Sequence, residues 1–182
     1  MELSSTAYVI LGTLAWGPSS GYDVKAVVDR SVRFFWTASY GQIYPELGRL
    51  SEAGLVKGAP EPKSGRRRTV YRITAAGRRA LADWLAQEPQ VFETRDEGLL
   101  KLFFSGAGTP GDAAGSVADK RRYHADKLDR LREIEPAVKA LDDPYPYIVL
   151  SHGIEYSEWM IAWCERVEHD LAGAGRGGRR AA

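Results

Sequence analysis

Cysteine is almost absent. Cys164 stands alone among 182 residues, which excludes an intramolecular disulfide framework and makes a reducing cytoplasm the expected compartment. Apolar runs are short as well. None reaches the roughly 20 residues needed to cross a bilayer, and Met1-Glu2-Leu3-Ser4 does not open a charged-then-apolar leader, so no membrane partner is expected. Histidine is scarce: His124, His152 and His169 lie far from one another and from Cys164, without the tight spacing of a structural zinc site, and no metal is expected. A nucleophile elbow, a phosphate-binding glycine loop and a paired-carboxylate signature are all missing, so the chain does not read as an enzyme and implies no cofactor. The net charge is only +1, which taken alone argues against a polyanionic partner.

The distribution of charge points the other way. Residues 1–88 carry 12 Lys/Arg against 8 Asp/Glu, whereas residues 89–182 carry 13 against 16. An anion-binding module joined to something that does not bind anions is the simplest reading. With 44% apolar and 27% charged residues, the chain is long enough for one sizeable domain or two small ones with real cores.

The informative stretch is Ser39 to Val56. Ile43, Leu47 and Leu50 recur at helical spacing and predict one inward face, and Gly54 stands where a helix stops. Tyr40, Gln42, Tyr44 and Arg49 fall mostly on the other face, a set suited to a major groove. Ser39 with Gln42 fits a capping box, but Pro45 would clash with the carbonyl of Gly41 in a regular helix. Either the first turn is loose or the helix begins at about Gln42; a loose first turn weakens the capping box and leaves Gln42 freer to meet a base or phosphate, against the alternative of pure capping.

Around it the elements are plain. Leu3 to Ala15 predicts a first helix capped by Ser4 or Ser5 and ended by Gly17-Pro18, and Ser20-Gly21-Tyr22-Asp23 opens a second with Val24, Val27 and Val28 inward. Tyr22 either touches the DNA backbone with Lys25 or is buried with its hydroxyl satisfied. Phe34, Phe35 and Trp36 lead into the central helix. Leu55 to Ala59 and Thr69 to Thr74 flank Pro62-Lys63-Ser64-Gly65-Arg66-Arg67-Arg68, a hairpin with a basic tip. Lys63, Arg66, Arg67 and Arg68 directly behind a recognition helix point to phosphate or minor-groove contact, against the alternative of a solvated loop. Thr74 caps a helix from Ala75 to Ala86 with Leu81, Trp84 and Leu85 inward. A helix feeding a basic hairpin is how a winged helix-turn-helix is built.

The second half begins after Pro89. Thr94-Arg95-Asp96-Glu97 is a capping-box pattern before the apolar run Leu99 to Phe104, and Pro110 opens a long charged helix whose narrow stripe includes His124, Leu128, Leu131, Val138 and Leu141, with a kink expected at Pro136. The last helix, Tyr147 to Leu171, carries two apolar stripes, wider than one neighbour covers. The two long helices are expected to form an antiparallel, coiled-coil-like pair that also packs on a second copy, with Leu128, Leu131, Leu150, Ile154, Ile161, Trp163 and Val167 at the interface. The boundaries expected are 1–89 for the DNA-binding domain, 90–172 for the helical dimerisation domain and 173–182 for a disordered Gly/Arg tail.

The motifs Gly17-Pro18-Ser19-Ser20-Gly21-Tyr22-Asp23-Val24, Gly41-Gln42-Ile43-Tyr44-Pro45-Glu46-Leu47 with Arg49-Leu50 and Gly54-Leu55-Val56, and Tyr71-Arg72-Ile73-Thr74 with Gly77, in this order and spacing, resemble the PadR family of transcriptional regulators. The resemblance covers nearly the whole chain. It implies a mostly α fold with a small β-hairpin, an N-terminal winged helix binding palindromic double-stranded DNA, a C-terminal homodimerisation region, and repression that a phenolic acid or other flat ligand relieves in some members. A two-fold dimer would set two recognition helices roughly 34–36 Å apart. Trp36, Tyr147, His152, Tyr156, Trp159 and Trp163 either line an effector cavity between the winged helix and the terminal helices, with Arg121 a further polar candidate, or are plain core and interface. A winged-helix module that binds only protein and a metal-responsive regulator are the alternatives.

Overall fold

A computed structural model describes residues 3–30, 40–61, 68–89 and 96–177. These residues hold seven α-helices and one three-stranded antiparallel sheet, divided between two compact units, Met1–Val91 and Phe92–Ala182.

The first unit starts with α1 (Ser5–Trp16), capped by Ser4, whose Oγ accepts the amide of Ala7 at 3.1 Å. Its face Ala7, Ile10, Leu11 and Leu14 is buried against Val24 of α2 (Gly21–Arg30), Ile43, Leu47 and Leu50 of α3 (Ile43–Glu52), and Val56. Each of the valine, leucine and isoleucine side chains contributes roughly 1.5–3 kcal/mol on leaving water, so this core fixes the position of α3. The serine cap expected on α2 is present: Ser20 Oγ accepts the Asp23 amide at 3.3 Å while Asp23 Oδ2 accepts the Ser20 amide at 2.9 Å.

Gly54, with φ of 69°, ends α3. Its amide reaches the Ser51 carbonyl at 3.0 Å and that of Leu55 reaches Leu50 at 2.9 Å, the double closure available when the residue after the cap is left-handed. The chain then enters β2 (Val56–Glu61), paired with β3 (Arg68–Ile73) from Val56↔Ile73 to Glu61↔Arg68. The expected hairpin is therefore two-thirds of the sheet. A further strand, β1 (Ser19–Ser20), pairs with the other side of β3, Ser20 opposite Val70.

Thr74 caps α4 (Ala75–Leu85), accepting from Gly77 at 3.1 Å, and also donates to the carbonyls of Gly54 and Leu55 at 2.8 and 3.0 Å. Gly77 meets the same turn so closely that a Cβ would lie 2.2 Å from the Leu55 carbonyl oxygen. Trp84 stacks on Tyr8 of α1, centroids 4.5 Å apart. Leu85, expected inward, is 68% exposed at the last residue of α4.

In the second unit α5 (Glu97–Phe103) is capped by Asp96, which accepts the Leu99 amide at 3.0 Å. The cap is thus Asp96, two residues later than the pattern beginning at Thr94 suggested. The helices α6 (Pro110–Lys139) and α7 (Tyr145–Gly177) run antiparallel: Arg121 pairs with Glu168 at 3.0 Å, Arg132 with Glu158 at 2.7 Å, and Tyr147 bonds back to Glu135 at 3.4 Å. Leu141, expected in the stripe of α6, lies beyond its end and is 52% exposed. α7 begins two residues before Tyr147, because Asp143 accepts the Tyr145 amide at 3.0 Å, and continues to Gly177, past the boundary at Gly173 drawn from composition. Among the described residues no helix is long and apolar enough to cross a membrane.

Candidate nucleic-acid interface

The surface of α3 explains how a proline is tolerated near its start. Tyr40–Gln42 form a 3-10 turn and the α-helix proper begins at Ile43, so Pro45 sits in the first turn, where an N–H has no intrahelical partner in any case. Gln42 is the cap residue by position, yet its side chain makes no capping bond and is exposed. Ile43, Glu46, Leu47 and Leu50 face the core, leaving Gln42, Tyr44 and Arg49 outward, with Tyr44 61% exposed.

Two of these outward groups are held by residues that periodicity did not single out. Glu46 is 7% exposed. Its Oε1 accepts the Ser4 hydroxyl at 2.7 Å and its Oε2 accepts Nη1 of Arg49 at 3.0 Å, so one edge of the Arg49 guanidinium is anchored while three-quarters of the side chain stays in solvent. The second is Tyr44. Its ring lies over Gly21 at the start of α2, where a Cβ would stand 2.6 Å from Cε1. The available signals were Glu46 on the buried rows of α3, three residues before Arg49, and an otherwise unexplained glycine at a helix start.

The remaining α2 candidates are on the surface. Tyr22 is 71% exposed, which removes the buried alternative, and Lys25 is exposed. On the wing, Lys63, Arg66 and Arg67 lie outside the described residues, as do Trp36 and Ser39; the Tyr40 side chain is likewise undescribed. Arg68, grouped with the wing arginines on sequence, is differently placed. Its Nη2 donates to Asp23 Oδ2, and its Nε lies 3.9 Å from a Glu61 carboxylate oxygen. Burial alone would raise the Asp23 carboxyl, but hydrogen bonds from Ser20 and the Arg68 charge outweigh it and hold the group below its ordinary range.

The residues expected to hold an effector are divided. Tyr147 is half-buried, donating to Glu135 with Lys139 Nζ 5.0 Å from its ring centre, and Trp163 packs on the cluster Val117, Met160 and Cys164. Arg121 is taken up by Glu168. His152, Tyr156 and Trp159 do adjoin, with centroid separations of 6.3 and 6.0 Å, and the buried His124 lies 5.6 Å from Tyr156. The expected interface set divides too. Leu131, Leu150 and Ile154 are at most 7% exposed within one chain, because α6 and α7 cover them mutually, whereas Leu128, Ile161, Trp163 and Val167 are half-buried. The exposed apolar groups of this unit are others, including Phe103 at 80% and Phe104 at 62%. Among the described residues no group of three or more His, Cys, Asp or Glu is placed to hold a metal ion.

Comparison with known proteins gives two family models in tandem. Residues 10–83 match the transcriptional regulator PadR-like family and residues 94–172 match the virulence activator alpha C-term model. A probable transcriptional regulator of Mycobacterium tuberculosis is 31% identical over 182 residues, covering 90% of this chain and 96% of its own length. The negative transcriptional regulator PadR of Bacillus subtilis is 29% identical over 170 residues, covering 88% and 93%. The crystal structure of that PadR in complex with operator DNA superposes with a TM-score of 0.82 at 27% identity, over 92% of this chain and 99% of that one. Its complex with p-coumaric acid gives 0.74 at 26% identity, over 94% and 99%. With the helix-to-wing arrangement of the first unit and the paired long helices of the second, these matches span both halves, and the chain belongs to the PadR-like family of transcriptional regulators.

Proposed function

We propose that this chain is a sequence-specific regulator that binds a palindromic operator as a homodimer, represses transcription, and is released by a small aromatic ligand. The observation that carries the reading is the outward face of α3. Gln42, Tyr44 and Arg49 project from a helix fixed by the core, two of them held from behind, in a chain whose Bacillus subtilis relative is a negative regulator solved on operator DNA. An amide, a phenol and a guanidinium supply base-edge and backbone contacts, with Tyr22 and Lys25 on α2 beside the DNA backbone and Lys63, Arg66 and Arg67 neutralising phosphates. Such a regulator works in the cytoplasm and needs no enzymatic activity. The relative's complex with p-coumaric acid supports a phenolic acid as the ligand class, with the ring run His152, Tyr156 and Trp159 as its candidate contacts.

The test is a salt-series titration against the DNA upstream of the chain's own gene, with unrelated DNA as control. Tight, selective binding with a steep negative salt slope is expected. Arg66→Ala with Arg67→Ala should weaken binding to every sequence and flatten the slope. Gln42→Ala should relax preference at one position, by about 1–3 kcal/mol. Weak, equal binding both to selected genomic DNA and to the control would favour a protein-binding winged helix instead.

A further inference from the structure

Arg68 follows two arginines in the sequence, and its surroundings give it a different task. We propose that Arg68 is a positioning residue that, through Asp23, locks the second strand of the wing onto the amino end of α2 and so fixes the angle at which the wing meets DNA, without itself contacting phosphate. The effect on DNA rests on the DNA-binding reading above; the lock itself does not.

Three observations converge on one junction. The Arg68 guanidinium donates to Asp23 Oδ2, and the same oxygen accepts the Ser20 amide and the Ser20 hydroxyl, each at 2.9 Å. Ser20 belongs to β1, whose partner is β3, the strand that Arg68 begins. The wing and the helix-turn-helix are therefore joined by a backbone ladder and, two residues along β3 from Val70, by a shared carboxylate. The charge balance points the same way. Arg68 stands between Asp23 and Glu61, one cation against two carboxylates, so its own charge is already compensated. All three side chains are 36–47% exposed, and an ion pair in that setting adds little to stability. What it supplies is geometry: Arg68 is the first residue of β3 and directly follows Arg66 and Arg67 in the chain.

The experiment compares wild type, Arg68→Gln, Asp23→Asn and the double variant. Asparagine keeps an acceptor for the Ser20 amide, so the helix cap survives while the charge that holds Arg68 is lost. Operator titration over a salt series should show both single variants weaker by about 3- to 10-fold at every salt concentration, with the wild-type slope, and the double variant no weaker than the weaker single one. In the protein free of DNA, hydrogen exchange of the β3 amides should be faster in both single variants. A salt slope lowered by about one in Arg68→Gln, with Asp23→Asn binding as well as or better than wild type, would make Arg68 a phosphate contact and overturn the proposal. Unchanged exchange in both variants would overturn it as well. If wild type bound no DNA selectively, the regulator reading would fail, while the exchange measurement would still decide whether the lock exists.

Discussion

Lowering the pH from 7 to 5 should weaken this fold through one side chain, His124. It lies on α6, is 6% exposed, and its Nδ1 is buried without a hydrogen-bond partner. Tyr123 and Tyr156 stand edge-on to it at 5.1 and 5.6 Å. Burial first, then the positive charges of Lys120 and Lys127, push the imidazole down from 6.5 to about 4, with Asp96 pulling weakly the other way. The unfolded chain thus takes up a proton near 6.5 and the folded chain only near 4. Full stability is present above 6.5 and is lost as pH falls from there toward 4, the window in which the unfolded state binds more protons. One group with these two values costs about 0.2 kcal/mol at pH 7 and about 2 kcal/mol at pH 5. The carboxyls of Asp23, Asp96 and Asp112 are held low, so they withdraw their contributions mainly below that range. Urea unfolding followed by circular dichroism, at one protein concentration, would compare wild type with His124→Phe, which keeps a ring and removes the titration. Wild type should lose about 2 kcal/mol between the two pH values and the variant under about 0.5 kcal/mol. Parallel losses in the two proteins would refute the assignment to His124.

Gly77→Ala places a methyl 2.2 Å from the Leu55 carbonyl oxygen, a backbone contact that cannot step aside; a loss of at least about 2 kcal/mol is expected in urea unfolding, and one below about 0.5 kcal/mol would show that the α3–β2 turn yields. Gly21→Ala meets side-chain atoms first, the edge of the exposed Tyr44 ring at 2.6 Å and Leu47 at 3.2 Å, so the melting temperature should stay within a few degrees while operator affinity falls about 3- to 10-fold. Unchanged affinity would mean that the direction of Tyr44 does not matter. Phe103→Glu puts a charge on the most exposed apolar side chain of α5; sedimentation should show a lighter species, and operator affinity should fall by about 10²–10⁴-fold as the two half-sites cease to be bound together. A dimer of wild-type strength would exclude α5 from the interface.

What the sequence made legible followed from strong local rules. The start of α2, the stop of α3 and the existence of the wing hairpin each rest on a few residues with one cheap solution: Ser20 with Asp23, Gly54 in the left-handed region, and two extended flanks that pair with each other. What escaped it depends on partners distant in the chain. A two-residue strand such as Ser19–Ser20 carries no alternation and exists only because β3 offers it a free edge. Glu46 looks like a solvated residue until Ser4, 42 positions away, supplies its hydrogen bond. The same holds for the interface expected on α6 and α7. Periodicity finds an apolar stripe but not its owner, and the pairing of the two helices claimed Leu131, Leu150 and Ile154 before a second copy could.

That allocation bears on how the two units divide their labour. On α3 of the first unit, the exposed candidate contacts are Gln42, Tyr44 and Arg49, groups with hydrogen bonds to offer a polar surface. The second unit leaves apolar side chains exposed on α5 and at its C-cap, where Leu100, Phe103 and Phe104 are each more than half exposed, and no residue of the helix is buried. A seven-residue helix has too few backbone bonds to persist on propensity, so packing must sustain it, and its outer face matches an apolar partner rather than a polyanion. The excess of acidic residues over residues 89–182 makes the same unit electrostatically unfavourable for a polyanion. Each unit is thus unsuited to the partner proposed for the other, and under the proposed function a dimer formed through the second would bring two copies of the first to one operator.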